Sequence, residues 1–118
     1  ALLHIMLPER GRGNDSNIYK FADSGIHETL RKLTAFVATK RRLVCKIAGG
    51  AKMFEMKGAG GLGNIGERNA QNVKRILMAE GLHVASEDTG ANYARTMLLD
   101  VSTGKVSVRS AGRPERFL

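Results

Sequence analysis

A short apolar run, Leu43-Val44-Cys45-Lys46-Ile47-Ala48, closed by the pair Gly49-Gly50, lies between two segments of helical periodicity, and this arrangement limits what the chain can fold into. A run this short and apolar, ended by glycines, reads as a central strand. Before it, Ile26, Leu30, Leu33 and Val37 recur at spacings of four, three and four, which places them on one face of a helix. Asp23 stands where its carboxylate can accept from the free amides of that helix's first turn. Arg31, Lys32 and Lys40 face elsewhere, toward the helix's negative end. After the run, Asn64-Ile65-Gly66-Glu67 has a capping-box spacing. Ala70, Val73, Ile76 and Leu77 form the apolar face of a second helix, and Gly81 closes it in a left-handed conformation.

The flanking segments read as strands and turns. Ala1 to Leu7 is a strand ended by Pro8, which has no amide to give to a ladder. Leu82 to Glu87 is another strand. Arg95 to Val101 and Lys105 to Ser110 surround Ser102-Thr103-Gly104, a hairpin signal. The polar tail after Gly112 is expected to fray. The Gly-rich stretch Gly58-Ala59-Gly60-Gly61-Leu62-Gly63 reads as a mobile loop, because no Lys-Ser/Thr follows it as in a P-loop and several polar residues separate it from the preceding strand. The summed expectation is a single α/β domain over residues 1–118: a layered sandwich with a mixed, largely antiparallel sheet and two main helices.

With 118 residues the chain fits one domain, and 42% apolar residues suffice for a core. The single cysteine excludes an internal disulfide and suits a reducing, cytoplasmic setting. No apolar run approaches the ~20 residues that span a bilayer, so membrane insertion is not expected. The net charge of +8 could attract nucleic acid, but the basic residues are scattered, Lys40-Arg41-Arg42 being the longest run. The interleaved aromatics of a base-stacking platform are missing, so no nucleic-acid partner is expected.

Few residues announce chemistry by themselves. His27 and His83 have no Cys or His at metal-ligand spacing, so neither a metal nor a cofactor is expected. Cys45, beside Val44 and Ile47 in the central run, has the surroundings of a buried, inert thiol. His4, between apolar neighbours on a strand, would by that pattern alone be structural more often than catalytic.

An ordered set of short segments changes that reading. His4-Ile5-Met6-Leu7-Pro8, Phe21-Ala22-Asp23, Lys46-Ile47-Ala48-Gly49-Gly50-Ala51-Lys52-Met53-Phe54, Ile65-Gly66-Glu67-Arg68-Asn69, Glu87-Asp88-Thr89-Gly90 and Thr103-Gly104-Lys105-Val106 resemble, in this order, the segments of the chemoreceptor glutamine deamidases of the bacterial CheD family. The likeness runs from His4 to about Val108. It departs locally at Gly90-Ala91 and Ala94-Arg95, where many members carry Gly-Gly and Gly-Arg. The resemblance implies an amidohydrolase that converts glutamines of methyl-accepting chemotaxis receptors to glutamate and ammonia. In that chemistry a cysteine thiolate attacks the carboxamide and a histidine activates it. The position matching the histidine is His4. The matching cysteine and an orienting threonine lie in a Gly-Leu-Gly-Ser-Cys region upstream of the histidine, ahead of Ala1, so the expected domain lacks its N-terminal strands. Cys45 does not align with the nucleophile. The resemblance also implies docking on a CheC-type phosphatase, which a non-catalytic regulatory module could perform as well.

Overall fold

The computed structural model describes residues 1–36, 38–53 and 64–118. Val37 and the Gly-rich stretch therefore lie outside the described residues. In chain order the described elements are helix α1 (Ala22–Phe36), strand β1 (Cys45–Gly49), helix α2 (Ile65–Ala79) and strands β2 (Val84–Thr89), β3 (Thr96–Leu99), β4 (Val106–Arg109) and β5 (Arg116–Phe117). Short 3-10 turns at Ile18–Lys20 and Lys40–Arg42 flank α1. The α/β reading with two main helices holds. The described strands divide between two sheets: β1 and β2 pair in parallel, and β3-β4-β5 form an antiparallel sheet.

The core lies where both helices meet β1 and β2. Ala22, Ile26 and Leu30 of α1 pack with Leu77 of α2 and with Leu82, all buried. Leu43, Cys45, Ile47, Val73, Ile76 and Val84 pack around them. The α1 stripe therefore faces the core through Ile26 and Leu30, while Leu33 is half-buried. Burying such aliphatic side chains stabilises by about 1.5–3 kcal/mol each.

Helix α2 ends as expected. Gly81, at φ 78°, donates to the Met78 carbonyl at 3.0 Å, and Leu82 donates to the Leu77 carbonyl at 2.9 Å. This is a Schellman closure with its apolar Leu77–Leu82 contact. Because Leu82 belongs to the closure, β2 starts only at Val84. At the other end the expected capping box does not form. Asn64 has φ −122° and ψ 28°, short of the extended backbone from which a side chain caps, and Glu67 accepts instead from Gln71 at 3.0 Å.

The opening of α2 rests directly on the end of β1. A Cβ on Gly50 would lie 2.8 Å from the Gly66 carbonyl oxygen, and one on Gly66 would overlap the Ala51 carbonyl oxygen. Only a pair of glycines permits this backbone approach. Gly90 in turn donates to the Gly49 carbonyl at 2.9 Å, which joins the ends of β1 and β2.

Two further expectations are corrected. Ala1 to Leu7 is not a strand: among the described residues it makes one bridge, Leu7 with Phe21, and the chain bends at Met6. Among the described residues no strand runs beside residues 1–5, so their backbone has no ladder to join. The tail after Gly112 does not fray. Arg116 and Phe117 pair with Val108 and Ser107, Leu118 donates to the Val106 carbonyl at 2.9 Å, and Glu115 accepts from Ser107 at 2.7 Å. These backbone bonds give the polar tail a third place in the antiparallel sheet. The hairpin itself is as expected, with Thr96 opposite Arg109 and Leu99 opposite Val106.

Two predictions follow from this packing. Gly66→Ala should lower stability by about 1–3 kcal/mol, because the added methyl overlaps backbone that cannot yield; a urea titration with an unshifted midpoint would contradict the close approach. Glu80 accepts from Lys40 and lies 3.8 Å from His27, which ties α2's end to α1 and the turn after it. The Lys40 hydrogen bond chiefly holds the Glu80 carboxyl below its ordinary value of 4.5. A depressed folded value means the stabilisation is present above the ordinary value and lost as pH falls through the lower one. Glu80→Gln should cost about 0.5 kcal/mol at neutral pH, as exposed pairs do, and nothing once the carboxyl is protonated. Equal costs at neutral and acid pH would refute the tie.

Candidate active site

Exposure alternates along the segment that carries His4. Leu3 and Ile5 pack against the core, whereas Leu2, His4 and Met6 are exposed. Period-two alternation thus turns the imidazole outward while its two neighbours fix the backbone from within. His4 borders an open depression of about 450 Å³, whose other walls include Tyr19, Thr29, Lys32, Leu33 and Phe36. The outer side of α1 forms one bank of it. Lys32 carries its ammonium 5.2 Å from the centre of the Tyr19 ring. A hydrogen bond to Tyr19 chiefly holds Lys32 above the usual lysine value.

The backbone next to His4 is pinned from two helices. Asn69 Nδ2 donates to the Met6 carbonyl at 3.0 Å, and Asn72 Nδ2 donates to the Pro8 carbonyl at 2.7 Å. Arg75 donates to Asn72 Oδ1 through Nε and Nη2, at 3.0 and 2.7 Å, which turns the Asn72 amide toward Pro8. From α1, the Asp23 carboxylate accepts from the Arg10 amide at 3.0 Å and from the Ser24 amide at 2.8 Å. Asp23 lies inside the first turn of α1 rather than at its cap as expected: it accepts from the adjacent Ser24 amide and anchors the loop beyond Pro8. On the other side, the Met6 and Leu7 amides both donate to the Lys20 carbonyl.

Cys45 lies elsewhere. It opens β1 and packs against the same core as Leu3 and Ile5, the inward face of the segment whose outward face holds His4. Burial pushes its thiol above the ordinary value, the opposite of what a nucleophile needs. A second depression, of about 440 Å³, lies by Lys46, Thr103, Lys105 and Phe117. Its lining holds no histidine, cysteine or carboxylate side chain, and so no acid–base pair. Among the described residues no group of three or more His, Cys, Asp or Glu could hold a metal ion. Among them also, no helix is long and apolar enough to cross a membrane.

A family model described as CheD chemotactic sensory transduction matches residues 6–110. The chain belongs to the CheD family. Relatives named probable chemoreceptor glutamine deamidase CheD agree along its whole length. The one from Syntrophomonas wolfei is 42% identical over 119 residues, covering 100% of this chain and 74% of the relative. That from Moorella thermoacetica is 45% identical over 120 residues, covering 100% and 72%. That from Lachnoclostridium phytofermentans is 38% identical over 117 residues, covering 98% and 73%.

In this CheD chain the family-like segments acquire physical roles that sequence reading missed. Asn69 was legible only as part of a helix opening, and Asn72 was not singled out at all. Spacing three apart on one helical face was their only signal, and nothing in it names their acceptors. The Cys45 surroundings are testable. Native protein at neutral pH should alkylate at Cys45 about tenfold or more slowly than protein unfolded in denaturant; equal rates would contradict the core placement.

Proposed function

We propose that this protein is a chemoreceptor glutamine deamidase in which His4 is the general base. The observation that carries the reading is the placement of His4: an exposed imidazole on the edge of an open depression, on a segment whose neighbours Leu3 and Ile5 are anchored in the core. The names of the relatives support the substrate, a chemoreceptor glutamine. The thiol comes from residues ahead of Ala1, where the resemblance implies the Gly-Leu-Gly-Ser-Cys stretch, and residues 1–118 are one deamidase domain that those residues complete.

The chemistry runs as acyl transfer. His4 takes the thiol proton, and the thiolate sulfur attacks the glutamine carboxamide carbon. The tetrahedral adduct collapses, the C–N bond breaks, and the imidazolium returns its proton to the leaving nitrogen as ammonia departs. His4 then takes a proton from water as the water oxygen attacks the thioester carbon. The C–S bond breaks, glutamate forms, and the thiol is restored. The glutamine's aliphatic stem suits the apolar side chains of Leu33 and Phe36 in the lining, and the cationic Lys32 suits the negative charge of the product.

The same family resemblance supports docking on a CheC-type phosphatase; a titration of the two proteins in the micromolar range tests it, and no heat or signal change would dismiss it. For the deamidase, a chemoreceptor fragment incubated with full-length protein should gain, at each converted glutamine, the mass difference between an amide NH2 and a hydroxyl. His4→Gln should slow conversion by roughly 10²–10⁴-fold with the fold retained, since the ring is exposed. A folded His4→Gln protein that converts the fragment at the original rate would remove His4 from the mechanism.

A further inference from the structure

We propose that Asn69 is the positioning residue for His4, with Asn72 as a second anchor of the same segment; the catalytic consequence rests on the deamidase reading. His4 sits on backbone that has no described strand beside it. Its ring is therefore placed by what holds the chain on either side. Upstream and downstream, Leu3 and Ile5 fix the inward face through apolar packing, which is non-directional. Among the described residues, the first backbone hydrogen bond along the segment is at Met6, which like His4 is exposed. The Met6 amide donates to the Lys20 carbonyl at 2.8 Å, and the Met6 carbonyl accepts from Asn69 Nδ2 at 3.0 Å. The peptide groups on both sides of Met6 are thus held, one toward the start of α1 and the other by α2.

Two residues separate this anchor from His4, at most about 7 Å of chain. A small rotation at Met6 would move the imidazole by a sizeable fraction of an ångström, and misplacements of that order lower rates steeply. The second anchor is itself oriented, because Arg75 occupies Asn72 Oδ1 and leaves Nδ2 for Pro8. Asn69 differs. Its Oδ1 is buried with no partner among the described residues. An apolar side chain of similar volume would fill the same space. What an asparagine supplies here that an aliphatic residue cannot is the Nδ2 donor to Met6.

The test compares Asn69→Ala with Asn69→Asp in the full-length protein. Asp has nearly the size of Asn but, ionised, offers only acceptors, so it would face the Met6 carbonyl with like polarity. If the donor positions His4, N69D should be the more damaging, with kcat on a chemoreceptor fragment lower by about ten- to a hundredfold, KM within about twofold, and N69A between N69D and the original protein. If Asn69 only fills space, the order reverses, with N69D near the original rate and N69A worse; that order, or an effect on KM alone, overturns the proposal. Thermal melts confirm that the variants are folded. The His4 ring proton resonances are followed in the same proteins and in Gln71→Ala, a control on the exposed side of α2. They should shift or broaden in N69D and not in Q71A, and unchanged resonances in N69D overturn the proposal. If the original protein converts no glutamine, the deamidase reading fails by itself, while the ring resonances still decide whether Asn69 sets the position of His4.

Discussion

The contact on which the rest of the structure depends is the backbone approach of α2 to the end of β1 at Gly50 and Gly66. It leaves no room for a Cβ on either side, so it fixes where the first turn of α2 lies relative to β1. From that fixed start, residues three and six positions on bring the Asn69 and Asn72 amides to the Met6 and Pro8 carbonyls. The central strand, the second helix and the histidine segment are thereby coupled through backbone contact and directional hydrogen bonds. Apolar packing around Leu77 and Leu82 supplies stability to the same region but specifies position less narrowly.

The antiparallel sheet is joined to this assembly by polar contacts. Arg95, with its side chain only 3% exposed, pairs with Asp88 at the end of β2 at 2.9 Å and also donates to the Gly90 carbonyl. Arg95 and Arg113 lie against the Tyr93 ring, at 4.2 and 3.9 Å from its centre. Lys46 of β1 donates to the Leu118 carbonyl at 2.6 Å. A buried ion pair of this kind adds little net stability over an apolar substitute, but losing one partner leaves a charge without water, at a cost of about 3–5 kcal/mol. It therefore sets the relation between the two sheets more than it strengthens them. The turn at residues 90–95 is the turn that this arginine closes.

Periodicity made the helices legible. The spacing of Ile26 and Leu30, and of Val73, Ile76 and Leu77, marked the faces that are buried or half-buried, and Gly81 marked the closure of α2, because each is a local property of a single helix. The hairpin around Ser102-Thr103-Gly104 was legible for the same reason. The capping box at Asn64 was misread because the local pattern does not know that Gly66 must reach the β1 backbone. The third strand of the antiparallel sheet was missed because Arg116 and Phe117 have no strand pattern of their own; their place comes from β4, which offers a free edge.

By itself the sequence determined the α/β class, the two helical faces, the kinship and the histidine to examine, since these rest on neighbours within a few residues or on ordered short segments. Tertiary structure alone decided that His4 turns outward beside an open depression, and that Asn69 and Asn72 reach carbonyls more than sixty residues away. The reason is physical. Local conformation fixes which way a side chain points relative to its own backbone, but only packing fixes what lies opposite, and a hydrogen bond exists only when both partners have been brought there.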